Sequence, residues 1–168
     1  MKKGDQEIDP NRYKVSPRTL IFIFDNNDRV LMIKGGAQKK RWAGYFNAIG
    51  GHIEADEDIL EAAQRELFEE TGIKDAEIHF CGQIMISESN TAGVALFLFR
   101  GKYSQADLIS STEGELHWLT LNQTNDLPVV EDLRIIMPLV YAYRPGDPMI
   151  IGKYIFDGEG KLKVSLQR

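Results

Sequence analysis

Three glutamates, Glu66, Glu69 and Glu70, stand at i, i+3 and i+4. On an α-helix these positions fall within about 100° of arc, so the carboxylates share one face. Like charges at this spacing repel and destabilise an isolated helix. A divalent cation is the simplest counterweight, because Mg²⁺ and Mn²⁺ take carboxylate, carbonyl and water oxygens. Arg65, one turn before Glu69, can pair with an acid and hold the array. Gly50 and Gly51 precede the helix, where a bare backbone can approach an ion or a phosphate. A solvated acidic face is the alternative reading of such a helix.

The location of charge points the same way. The 168 residues carry a formal net charge of -5. Residues 54–70 hold Glu54, Asp56, Glu57, Asp58 and Glu61 besides the three glutamates, against Arg65 alone, so the rest of the chain is slightly basic. An acidic site repels a polyphosphate unless a cation reverses the local sign. Lys39, Lys40 and Arg41 form a basic run. Its default is a solvated loop, although it can attract phosphate, and it is too short to argue for nucleic-acid binding.

Composition narrows the class. With 43% hydrophobic and 27% charged residues, the chain reads as a soluble globular protein. Its longest apolar run, 94–99, is far short of the ~20 residues that span a bilayer. The N-terminal lysines have no apolar stretch behind them, so no signal peptide is expected. One cysteine, Cys81, excludes an internal disulfide and a multi-cysteine zinc site, and reads as a strand residue. A reducing, cytoplasmic setting fits. The length favours one domain: a polar leader over 1–16 and a single domain over 17–168.

The elements that must position the glutamates are legible in outline. Two apolar runs, 18–25 and 29–34, flank Asp25-Asn26-Asn27-Asp28 and predict a hairpin. A Gly- and Lys-rich loop follows over 35–44. Asp58 and Glu61 form a capping-box pattern at a helix start. Leu60, Ala63 and Leu67 are its expected buried stripe, and Gly72 its C-terminal cap. Residues 77–87, 93–103 and 115–121 predict strands. A second helix over 131–143 buries Leu133, Ile136, Met137 and Val140, with a bend or interruption near Pro138. Residues 149–156 and 162–166 predict a closing hairpin. The whole is an α+β or α/β arrangement, a mixed sheet with about two main helices.

The segment 51–73 resembles the Nudix box: G, five residues, E, seven residues, R-E-U-x-E-E-x-G-U, with U a bulky aliphatic. Gly51, Glu57, Arg65, Glu66, Leu67, Glu69, Glu70, Gly72 and Ile73 occupy every specified position. The resemblance implies the Nudix α/β/α sandwich and the hydrolysis of a pyrophosphate in a nucleoside diphosphate linked to another moiety. It implies that Glu66, Glu69 and Glu70 bind Mg²⁺ or Mn²⁺, with the Gly50 carbonyl as a further ligand. Arg65 would hold Glu57 and keep the array oriented, and one carboxylate, most often the one at Glu69, would serve as general base or water-positioning ligand. Many members add an acid from a later strand. Glu115 is the candidate here, with Glu113 an equal competitor.

The chain also looks similar to the oxidised-purine nucleoside triphosphate diphosphatases (MutT-like), through the segment 41–51 and a looser tail. That likeness would line a base pocket with Asn47, Trp118, Glu131 and Asp132. Asn47 can donate to and accept from a purine edge, Trp118 can stack, and crowded acids can share a proton. Trp118 as a core residue and Glu131 and Asp132 as helix N-terminal acids are the competing readings. Val129 and Val130 stand where that group has Trp-Pro. The proline markers of the ADP-ribose and NADH types are absent, as no proline lies between Pro17 and Pro128. The expected partner is a small nucleotide, with no nucleic acid or membrane, in a monomer or homodimer. Alternatives are a dinucleoside polyphosphate, a nucleotide sugar, or a non-catalytic nucleotide sensor. His52 reads as a loop residue.

Overall fold

A computed structural model describes residues 9–38, 42–105, 108–109, 112–159 and 162–167, so the basic run Lys39, Lys40 and Arg41 lies outside the described residues. Within them the order is β1 (Lys14–Phe24), β2 (Arg29–Gly35), β3 (Phe46–Asn47), α1 (Ile59–Thr71), β4 (Ile78–Ser87), β5 (Ala92–Lys102), β6 (Gly114–Thr120), α2 (Leu133–Ala142), β7 (Ile150–Phe156) and β8 (Leu162–Gln167). The strands form one mixed sheet in the order β3-β2-β1-β5-β4-β7-β8, with β6 added on β2. β1 runs parallel to β5, and β4 parallel to β7.

Strand alternation builds two cores, because successive side chains point to opposite faces. Leu20, Phe22 and Phe24 join Leu96 and Leu98 under Leu133, Ile136, Met137 and Val140 of α2. Ile21 and Ile23 join Phe99 and Ile73 under Ala63 and Leu67 of α1. Full burial of each such side chain contributes ~1.5–3 kcal/mol. The sheet is therefore covered on both faces, as an α/β/α sandwich.

Four expectations change in detail. β1 begins at Lys14, inside the segment read as leader. The expected hairpin is nearly open, with a single paired register, Phe24 with Val30. Elsewhere β1 pairs with the segment before α1: Thr19 N–H donates to Gly51 (2.9 Å), Ile21 N–H to Ile49 (2.8 Å), and Ile53 N–H to Pro17 (3.1 Å). β2 instead pairs along its length with β6. Leu60 is exposed in the first turn of α1, where Ile59 instead packs on the core beside Ala63 and Leu67. α2 runs through Pro138 without interruption. Pro138 lies on its exposed side, where a carbonyl left without an N–H can meet water.

Candidate active site

The site begins with the cap of α1. Asp58 accepts from the N–H groups of Leu60 (2.7 Å) and Glu61 (3.0 Å), and Glu61 returns a bond to the Asp58 N–H (2.9 Å). Gly72 N–H closes the other end on Phe68 (2.8 Å). Between these caps the helix carries the three glutamates at three depths. The Glu70 residue is buried, the Glu66 side chain is 15% exposed and the Glu69 side chain 56%.

Arg65 organises them. Its Nε and Nη2 grip both oxygens of Glu57 at 2.6 and 3.0 Å, a bidentate pair. Nη1 reaches Glu66 Oε1 at 2.8 Å and Glu69 Oε2 at 3.0 Å, and Nη2 also donates to the His52 carbonyl at 2.9 Å. Hydrogen bonds from Arg65, aided by the Glu54 N–H, hold the Glu57 carboxyl at about 2. Glu57 and Glu66 in turn push the Arg65 guanidinium above its ordinary value. Arg65 thus supplies part of the counter-charge that the glutamate spacing demands.

Two glycines let the loop meet the helix. Gly50 has φ 138°, and a Cβ there would strike the Thr19 carbonyl of β1. Its N–H donates to Glu70 Oε2 at 3.0 Å. A Cβ at Gly51 would collide with the Glu66 carboxylate, so only glycine leaves that side of the acid open.

All three glutamates, with Gly50 and Gly51, line one cavity of about 590 Å³. Among the described residues no three His, Cys, Asp or Glu side chains form a ready-made ion cage. The reason is visible: Arg65 bridges Glu66 and Glu69, while Glu70 faces the Gly50 N–H. The donor set nevertheless fits a hard divalent cation. Every donor is an oxygen, and the bare Gly51 leaves room beside Glu66.

The remaining expected residues divide. Asn47 lines the cavity, its Oδ1 accepting from Ala48 N–H at 2.9 Å. His52 lines it too, accepting from Arg18 Nε at 3.1 Å as a loop residue. Glu115 does not join the glutamates. Its side chain is 80% exposed, 3.6 Å from His117, on a separate depression beside Lys34. Within β6 it falls on the face opposite Leu116 and Trp118, and its competitor Glu113, in the turn before β6 and outside that alternation, lines the cavity instead. Trp118 also lies elsewhere. It is paired opposite Leu31 and packs on the α1-side core. Neither Glu131 nor Asp132 is part of the cavity wall. Glu131 is exposed, while burial raises the Asp132 carboxyl and the Glu131 charge adds to that. Burial pushes the Cys81 thiol up to about 12, the state of an unreactive core residue.

Two aromatics that the sequence reading left without a role stand at the cavity. Trp42 and Tyr45 pack edge to face with centroids 5.6 Å apart, and both are largely exposed. Trp42 has φ 62°, a left-handed conformation that a bulky residue rarely adopts. The signal available in the sequence was two aromatics beside Gly44, in a loop leading to the glycine pair.

A family model, the NUDIX domain, matches residues 14–140. The chain belongs to this family. The Nudix fold is shared with a MutT protein from Bacillus halodurans, at a TM-score of 0.74 and 26% identity over 91% of this chain and 98% of that one. It is shared with the NUDIX domain of Shewanella oneidensis NrtR, solved with ADP ribose, at a TM-score of 0.65 and 18% identity over 79% of this chain and 91% of that one. The phosphatase NudJ of Escherichia coli K12 is 57% identical over 35 residues, a stretch that spans 21% of this chain and 23% of that protein. Nudix hydrolases act on nucleoside diphosphates linked to a further group and generally use a divalent metal. Among the described residues of this Nudix protein, no helix is long and apolar enough to cross a membrane.

Proposed function

We propose that this Nudix protein is a metal-dependent pyrophosphohydrolase that converts a nucleoside triphosphate to the monophosphate and pyrophosphate, with oxidised purine nucleotides such as 8-oxo-dGTP the first class to test. The single observation that carries the reading is the Arg65 clamp: one guanidinium holds Glu57, Glu66 and Glu69 around a cavity that Glu70 also lines. A solvated acidic face has no need of such convergence.

Glu66, Glu69, Glu70 and the Gly50 carbonyl would hold Mg²⁺ or Mn²⁺, which supplies charge neutralisation at the phosphate oxygens and makes water more acidic. Arg65 keeps the carboxylates in register while they work, a supporting role with large effects on metal sites. Glu70 is anchored by the Gly50 N–H, so it holds position. Glu69 is the most exposed of the three, and Arg65 engages its Oε2. Its Oε1 accepts the proton of the attacking water. Trp42 and Tyr45 present ring faces for the base, and Asn47 offers amide hydrogen bonds beside them.

A second reading, a dinucleoside polyphosphate or nucleotide sugar, is favoured by one observation: Trp118 and Glu131, expected to read the base, lie away from the cavity. A nucleotide panel with Mg²⁺ and pyrophosphate detection separates the two. Turnover of 8-oxo-dGTP well above dGTP, abolished by EDTA and reduced at least 100-fold in Glu69→Gln with the fold intact, is the expected result. A dinucleoside polyphosphate far exceeding both triphosphates would transfer the assignment to the second reading. Full activity after exhaustive EDTA treatment would refute the metal-dependent mechanism for either substrate.

A further inference from the structure

A second cavity of about 510 Å³ lies farther along the sheet and shares no lining residue with the first. Its most unusual wall is Arg100 of β5. That residue is only 7% exposed, yet its Nε has no hydrogen-bond partner among the described residues. The side chain follows Leu96 and Leu98 on the α2 face of the sheet, a row otherwise apolar. Its guanidinium stacks 5.3 Å from the Phe24 ring centroid, which orders the group without neutralising it.

The charges around Arg100 do not resolve the anomaly. Burial pulls its guanidinium below the ordinary value, and the nearby Arg144 pushes in the same direction. Arg144 lines the cavity while its Nη1 donates to the Tyr141 and Tyr143 carbonyls at 2.8 and 2.9 Å. Lys102 adds a third cation. The acids that line the cavity, Asp28, Asp75 and Glu77, are all exposed. Asp28 attracts the Arg100 guanidinium from the cavity rim without pairing with it, and Glu77 stands 3.5 Å from His79. None forms an ion pair with Arg100. A buried cation without a paired anion is destabilising unless an anion completes it. A guanidinium fork fits the oxygens of a phosphate, and the free Nε of Arg100 is a donor that such an oxygen can take.

We propose that this cavity is an anion site distinct from the glutamate cavity, in which Arg100, supported by Arg144 and Lys102, binds a phosphate group. The phosphate is either free inorganic phosphate or that of a nucleoside monophosphate, for which the volume is sufficient.

The test is thermal unfolding and calorimetric titration of the full chain in EDTA, at constant ionic strength. Inorganic phosphate, adenosine monophosphate, citrate and chloride are compared. Wild type is expected to bind phosphate or the monophosphate with a rise in Tm that chloride does not produce. The tighter of the two identifies the source. Arg100→Met should lose this binding at least tenfold. Lys102→Gln, at an exposed position that the fold does not need, should weaken it several-fold and guards against a misfolded Arg100 variant. Trp42→Ala, altered at the other cavity, should leave it unchanged. The proposal is overturned if neither phosphate ligand stabilises wild type beyond chloride. It is equally overturned if only citrate binds, if Arg100→Met and Lys102→Gln both retain full binding, or if Trp42→Ala abolishes it.

Discussion

Arg65 does with one planar group what the glutamate spacing asked of a cation. Glu57 shows the effect in its titration. Its carboxyl is held at about 2 in the folded protein, against an ordinary 4.5. A depressed folded value means that the stabilisation is complete above 4.5 and fades as pH falls towards 2. Urea midpoints measured across that window should fall more steeply for wild type than for Glu57→Gln; parallel slopes would show that the clamp does not contribute. The two tryptophans make a second contrast at this scale. Trp42→Ala should raise KM about tenfold, the loss of roughly 1.4 kcal/mol of stacking, with Tm nearly unchanged. Trp118→Ala should lower stability by about 3 kcal/mol, the lower end for a truncated core aromatic, and leave KM alone. A reversed pattern would return Trp118 to the substrate. Sequence could not separate these residues, because stacking potential is common to both and only the alternation of β6 decides which way Trp118 points.

Elements were legible where the signal is local. The capping box of α1 needs only Asp58 and Glu61 three residues apart, and both reciprocal bonds are present. Asp58→Ala should cost about 1 kcal/mol, measured as a shift in the urea midpoint at constant slope; no shift would mean that the cap is redundant with tertiary packing. The β1–β2 turn was read correctly as a turn. Asp25 accepts from the Asn27 N–H (2.9 Å) and the Arg29 N–H (2.8 Å). The extent of pairing beyond it was not legible. β1 takes the residue 49–53 segment and β2 takes β6, partners distant in sequence, and a turn motif carries no information about them. That exchange is what brings Gly50 and Gly51 against the Glu70 and Glu66 carboxylates.

At the scale of the whole molecule, one sheet serves two cores. β1 and β5 contribute to both faces, so neither core can lose its strands without the other. Ile21→Ala on the α1 side and Leu98→Ala on the α2 side should each cost about 2–5 kcal/mol. In both variants fluorescence and far-ultraviolet circular dichroism should report one coincident transition. Separate transitions in either would show that the cores unfold independently. The net charge of -5 also has a structural location. Its acidic excess is gathered along α1 and the loop before it, and Arg100 stands at a different cavity with no ion pair among the described residues.

The amino-acid sequence by itself determined the acidic helix, its caps, the glycine pair and the family pattern, because each is set by spacing along one short segment. The apolar runs likewise determined a mixed sheet with about two helices, and the family pattern implied that the sheet is covered on both faces. Tertiary structure alone decided that Glu113 and not Glu115 lines the glutamate cavity, that Trp42 and Tyr45 stand at that cavity while Trp118 packs half-buried against the α1-side core, and that the Nε of buried Arg100 has no hydrogen-bond partner among the described residues. For Glu115, Trp118 and Arg100, all strand residues, the physical reason is the same. Which face a strand residue presents, and what meets it there, depends on register with strands far away in the chain.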